Sequence, residues 1–103
     1  MSEIVKGTTP TIQYTFKTVK VEDIAVAKLT IRQGGELLIE KNLAAAVVGA
    51  KDLSWTLSQQ ETLMMESGIQ IEITLNWKTA DGTRGIGKKL KVYIEDNDIE
   101  EVI

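Results

Sequence analysis

From Ile69 to Lys78 the chain alternates without a break: Ile69, Ile71, Ile73, Leu75 and Trp77 against Gln70, Glu72, Thr74, Asn76 and Lys78. Period two marks a strand with one buried and one wet face, whereas a helix would scatter these apolar residues around its whole cylinder. A strand is therefore predicted over 69–78. Thr79-Ala80-Asp81-Gly82 follows, and Asp-Gly favours a tight turn because glycine accepts positive φ. Leu90, Val92 and Ile94 then alternate with Lys89, Lys91 and Tyr93, so the two runs read as a long antiparallel hairpin. Gly85 and Gly87 lie in the returning arm and read either as a bulge or bend, or as plain loop.

The same periodicity recurs upstream. Ile12, Tyr14 and Phe16 alternate with Thr11, Gln13 and Thr15 behind Pro10, whose missing N–H costs nothing at the start of an edge strand. Ala27, Leu29 and Ile31 alternate with Lys28, Thr30 and Arg32; Gln33-Gly34-Gly35-Glu36 makes a turn, and Leu37 to Lys41 completes a second hairpin. Leu53, Trp55 and Leu57 predict a further strand. Leu43 to Val48 is alanine-rich but too short for a free-standing helix and is stopped by Gly49, so it is expected to be irregular or a short strand. Ser58-Gln59-Gln60-Glu61 has capping-box spacing ahead of Leu63, Met64 and Met65, with Gly68 as a stop. One or two helical turns should carry the chain across the sandwich there.

The sum is an all-β chain: about seven short strands with one short helical turn, arranged as an antiparallel β-sandwich or small barrel. One domain is expected over 1–103, with residues 95–103 as an acidic tail. Trp55 and Trp77 fall on the inward series of their strands, so both should pack in the core, and Trp77→Ala should cost roughly 3–5 kcal/mol.

Composition narrows the chemistry. The chain has neither cysteine nor histidine, which removes disulfides, thiolate nucleophiles, histidine bases and the usual zinc ligands together. Catalysis by carboxylates or lysines stays open. A net charge of −3 disfavours nucleic acid and anionic lipid. The first residues show no apolar h-region, and no apolar run approaches the ~20 residues of a membrane span, so neither a signal peptide nor a membrane partner is expected.

Among the carboxylates, Glu22 and Asp23 precede a strand, Asp81 belongs to a turn and Glu61 to a cap, and nothing points to the burial that a general acid needs. Asp96-Asn97-Asp98-Ile99-Glu100-Glu101 resembles the start of an oxygen-ligand calcium loop but lacks the turn glycine at its sixth position, and reads as a solvated tail. Arg84, Lys88, Lys89 and Lys91 form a basic cluster with only Tyr93 nearby as a stacking platform. An exposed strand face that discourages edge-to-edge pairing explains it better than nucleic acid does. No catalytic, cofactor-binding or metal residue and no small-molecule substrate is expected.

Two segments resemble a known group. Lys6-Gly7-Thr8-Thr9-Pro10-Thr11-Ile12 is similar to the opening of small phage and prophage structural domains, themselves like the N-terminal module of baseplate upper proteins in tailed phages of Gram-positive bacteria. Leu53 to Leu63 is similar to that family's linker after a central strand, and a long strand, the Asp81-Gly82-Thr83 turn, a return strand and an acidic end follow in the same order. The resemblance implies an immunoglobulin-like sandwich and a virion structural protein, assembled in the bacterial cytoplasm. It further implies that the chain contacts other tail or baseplate proteins, or further copies of itself, through the Pro10–Phe16 strand and the acidic tail. The chain departs from the family in lacking its C-terminal extension, which argues against a direct role in host recognition. The competing expectation is a small bacterial immunoglobulin-like binding domain of carbohydrate or adhesin type.

Overall fold

A computed structural model describes residues 3–97. Among these described residues nine strands form two sheets: β1 (Glu3–Val5), β2 (Thr11–Thr15), β3 (Ile24–Gln33), β4 (Glu36–Asn42), β5 (Val47–Val48), β6 (Asp52–Thr56), β7 (Ile71–Thr79), β8 (Arg84–Ile86) and β9 (Leu90–Glu95). The larger sheet runs β1-β9-β7-β3-β4, with β8 also paired to β7, and the smaller runs β2-β6-β5. The fold is thus an all-β sandwich.

Alternation decides which side chains lie between the sheets. Leu29, Ile31, Ile71, Ile73, Leu75, Val92 and Ile94 from the large sheet are buried in one cluster with Ile12, Tyr14, Leu53, Trp55 and Leu57 from the small-sheet side. Each such side chain contributes roughly 1.5–3 kcal/mol through removal from water. Trp55 is 1% exposed, and its indole N–H donates to the Asn42 carbonyl at 3.0 Å, so its one polar atom is satisfied within the sandwich.

Both predicted hairpins form. Gly34 and Gly35, at φ +60° and +82°, make the two-residue turn between β3 and β4, where only left-handed backbone matches the strand twist. In the long hairpin, β7 pairs first with β8 (Asn76 opposite Ile86) and then with β9 (Ile73 opposite Leu90). Residues 87–89 therefore face only 74–75, and the returning arm bulges there; the Gly87 N–H still reaches the Leu75 carbonyl at 2.7 Å. Of the two readings of those glycines, the bulge holds.

The five-residue helix α1 (Gln59–Leu63) carries the chain from the small sheet to the large one, and its capping box is complete. The Glu61 N–H donates to the Ser58 hydroxyl at 3.1 Å, and the Ser58 N–H donates to the Glu61 carboxylate at 2.8 Å. The segment from Leu43 resolves into a 3-10 turn (Leu43–Ala45) and the two-residue β5, so both alternatives for it contribute.

Four expectations need correction. Among the described residues the strands number nine against about seven expected, because the bulge splits the return arm into β8 and β9 and because β1 is too short to show in the pattern. The pairing is not wholly antiparallel, since β1 runs parallel to β9 with Ile4 opposite Ile94. The long strand begins at Ile71. Ile69 is 42% exposed because the Gln33 side-chain amide takes up the backbone of the preceding loop, donating to the Glu66 and Ile69 carbonyls and accepting from the Glu66 N–H. Finally, Trp77 is only partly buried: it lies beyond the shelter of the small sheet, with Phe16 packed edge-on against it at 5.9 Å. Of the expected acidic tail, Glu95 ends β9, and residues 98–103 lie outside the described residues.

Candidate interaction surfaces

The opening segment and the linker that carry the resemblance meet in space. Gly7, at φ +79°, turns its N–H onto the Thr62 hydroxyl at 3.0 Å; that hydroxyl in turn donates to the Thr8 carbonyl at 2.8 Å. Two residues further on, the Leu57 N–H donates to the Pro10 carbonyl at 2.9 Å. Thr62 is fully buried, and its hydroxyl ties together two loops more than fifty residues apart in the chain. Sequence reasoning missed Thr62, since a threonine inside a short helix carries no local signal of such a role.

Beyond this lock, β2 leaves the motif as the edge of the small sheet. Ile12 and Tyr14 point inward, and Thr11, Gln13 and Thr15 are exposed. Tyr14 is 8% exposed; its hydroxyl reaches the bulge in the return arm, 3.2 Å from the Lys88 carbonyl and 3.4 Å from that of Ile73. Burial pushes its phenol above the ordinary value. Gly87 makes room for the ring: a Cβ there would stand 2.8 Å from Tyr14 Cε1.

The opposite edge of the small sheet is β5, and it differs in kind. From Leu43 to Ala50 no side chain is polar, and Val47 and Val48 are 69% and 59% exposed. Next to it, at the end of the sandwich where β2 finishes, a cleft of about 850 Å³ opens between residues 15–22 and 48–51. Phe16, Val19, Val21 and Val48 supply its apolar lining. Lys17, Lys20 and Lys51, all exposed, line it together with Glu22.

The candidate carboxylates have local partners. Burial pulls the Glu61 carboxyl upward, but hydrogen bonds from the Ser58 backbone and from Lys41, whose ammonium stands at 3.1 Å, outweigh it and hold the group below its ordinary value. The Thr79 hydroxyl, followed by the Thr83 N–H at 3.0 Å, lowers the Asp81 carboxyl in its turn. Glu95 is raised because it shares a hydrogen bond with Glu3 on the neighbouring strand and feels its charge. Glu22 and Asp23 lie exposed in or beside the 3-10 turn before β3. Among the described residues no group of three or more acidic side chains converges; Asp98, Glu100 and Glu101 of the calcium-like segment lie outside them.

The basic cluster runs from β8 (Arg84) through the bulge (Lys88 and Lys89) into β9 (Lys91). Lys89 pairs with Glu72 at 3.5 Å, and Lys91 sits opposite Glu72 in the ladder. β1 covers β9 only from Tyr93 to Glu95, so it does not reach the stretch from Arg84 to Lys91, where all four basic side chains are exposed. Tyr93, 47% exposed, shares a shallow hollow with Arg32, Ile69 and Glu72. Comparison with known proteins finds no matching family model, no matching curated protein and no matching solved structure.

Proposed function

We infer that this chain is a non-enzymatic assembly module of a phage or prophage tail or baseplate, working through protein–protein contact. The observation that carries the reading is the lock between the two resembling segments. Gly7, Thr8 and Pro10 engage Thr62 and Leu57, so the residue pattern shared with that group has one common physical purpose: to fix where the chain enters β2. A strand so fixed presents its free N–H and C=O groups to a partner, and added strands are a general mode of docking.

Immunogold labelling of particles induced from a lysogen tests this directly. Label at the tail or baseplate is the expected result; label confined to unassembled protein would sink the reading. The competing reading, a carbohydrate or adhesin domain, draws on the hollow beside Tyr93, where one exposed aromatic ring adjoins Arg32 and Glu72. Binding on a glycan array that is lost in Tyr93→Ala would favour it.

A further inference from the structure

The edge at β5 is only two residues long, which itself blunts an edge, but it carries none of the side-chain devices that do so. It has no charge, no proline and no bulge, and its neighbours Ala44, Ala45 and Ala50 are exposed as well. Five exposed apolar residues thus fall within seven positions, interrupted by the half-buried Ala46 and Gly49, and a clustered apolar patch is a feature of contact surfaces. The backbone is also set for pairing. The Gly49 N–H bonds the Asp52 carbonyl at 2.8 Å, and Val48 stands opposite Leu53. In an antiparallel ladder bonded pairs alternate with non-bonded ones, so Val48 turns its own N–H and C=O outward, away from β6.

Charge specifies what fits. In a chain of net charge −3, three lysines gather at this one end of the molecule against Glu22 alone in the cleft lining. None of the three forms an ion pair with a described residue. The complement is an extended segment with apolar side chains for Phe16, Val19 and Val48 and carboxylates for the lysines. Asp98-Ile99-Glu100-Glu101-Val102-Ile103 has that composition.

The segment has to come from another molecule. The Asn97 side chain donates to the Lys6 carbonyl at 2.8 Å, which anchors the chain at the end of the sandwich where β2 begins. The cleft lies at the other end of β2 and on the far flank of the small sheet. Six extended residues reach at most about 20 Å. That is used up by the length of β2, about 17 Å at 3.4 Å per residue, and the width of the sheet, leaving nothing to pair with β5.

We propose that the free edge of β5 and the adjoining lysine-rimmed cleft receive residues 98–103 of a second copy of this chain, as an added strand. This rests on the reading of the chain as an assembly module, and it names one of its contacts.

A charge exchange tests it in the full chain, read by sedimentation equilibrium over a concentration series. One variant carries Lys17→Glu, Lys20→Glu and Lys51→Glu; the other carries Asp98→Lys, Glu100→Lys and Glu101→Lys. All six positions are polar, and the three lysines are exposed, so the cleft substitutions leave the core untouched. The native chain should self-associate, more weakly as salt rises. Each variant alone, its cleft and tail now of like sign, should associate at least tenfold more weakly. Mixing the two should restore association, because each tail then meets an opposite cleft. Val48→Asp in the native chain should abolish association through the edge. A native chain that stays monomeric, variants that associate as the native chain does, or a mixture that fails to recover would each overturn the proposal. Self-association indifferent to both reversals would sink this contact while leaving the module reading intact, since β2 would then be the edge in use.

Discussion

The two tryptophans occupy equivalent places in the alternating pattern and very different places in the molecule. Trp55 stands on the central strand of the small sheet, 1% exposed, with its indole N–H on the Asn42 carbonyl. Trp77 stands near the end of β7, past the reach of the small sheet, and is partly open to water. Its ring lies over Gly85, its partner across the hairpin, so closely that a Cβ there would fall 2.1 Å from Cζ2. Phe16 meets the same ring edge-on, the ring planes 83° apart. Phe16 also lines the cleft beside β5. Trp55 therefore joins the two sheets, whereas Trp77 backs a surface. Period two reports which face a side chain takes; what covers that face is decided by the opposing sheet.

The largest effect should follow from Trp55→Ala. Removing a fully enclosed aromatic ring loses its burial and leaves a cavity between the sheets, at about 3–5 kcal/mol. Chemical denaturation checks it. A loss under 1 kcal/mol would mean that the centre of the small sheet does not hold the sandwich together, and the contrast between the two rings would collapse.

Trp77→Ala should cost less, about 2 kcal/mol, because part of the ring is already in water. This lowers the 3–5 kcal/mol that its place in the alternation alone would suggest. The neighbouring glycine sharpens the point. Gly85→Ala in the native chain forces the indole out of place and should cost about 1–3 kcal/mol, as overpacking does. Introduced into Trp77→Ala, the same change should be close to neutral, since nothing remains for the methyl group to strike. A double-mutant cycle with coupling under about 0.5 kcal/mol would show that the indole does not need the glycine.

These two residues show how far the sequence could be read. The strands, both hairpins, the capping box and the bulge were legible because each is local: alternation, Gly-Gly and Asp-Gly turns, and Ser58 three residues before Glu61. Tertiary partnerships were not. The parallel β1 is three residues long and too short to show a period, and it exists only because Ile4 finds Ile94. Thr62 looks like any threonine in a short helix until Gly7 and Thr8 arrive from the other end of the chain. Tyr14 follows the inward series, yet that a glycine-made bulge would accept its hydroxyl could not be read from spacing. The β5 edge was visible as an uncharged alanine–valine run, but not as an edge, because its exposure depends on the order of strands within the sheet.

Tyr14→Phe separates shape from hydrogen bonding at the second glycine contact. The ring would still fill the space above Gly87, so only the hydroxyl is lost. Of its two carbonyl partners the Lys88 contact is the shorter, and both are long for an O–H donor. The expected cost is about 0.5–1.5 kcal/mol. Faster amide exchange in the bulge, at Gly87 to Lys89, should accompany it. An unchanged exchange rate there would place the role of Tyr14 in its ring alone.

The smallest effect concerns the flank where α1 meets β4. Glu61 uses one carboxylate oxygen for the Ser58 N–H and the other for Lys41, 3.1 Å away. Because these bonds favour the ionised form, the folded-state pKa lies below that of the unfolded chain. A depressed carboxyl contributes stability that is fully present above its unfolded pKa and is lost as pH falls through the folded value. The native protein should therefore lose some stability across the acidic range of carboxylate titration. Glu61→Gln, which keeps the shape but cannot titrate, should be slightly less stable than native at neutral pH and should converge with it as pH falls. The group is partly exposed and screened, so the gap will be modest and should narrow further with salt. Denaturation midpoints of the two proteins that run parallel from neutral to acid would show that the Lys41–Glu61 contact contributes nothing, and that the helix is held on this flank by Thr62 and the Ser58 cap.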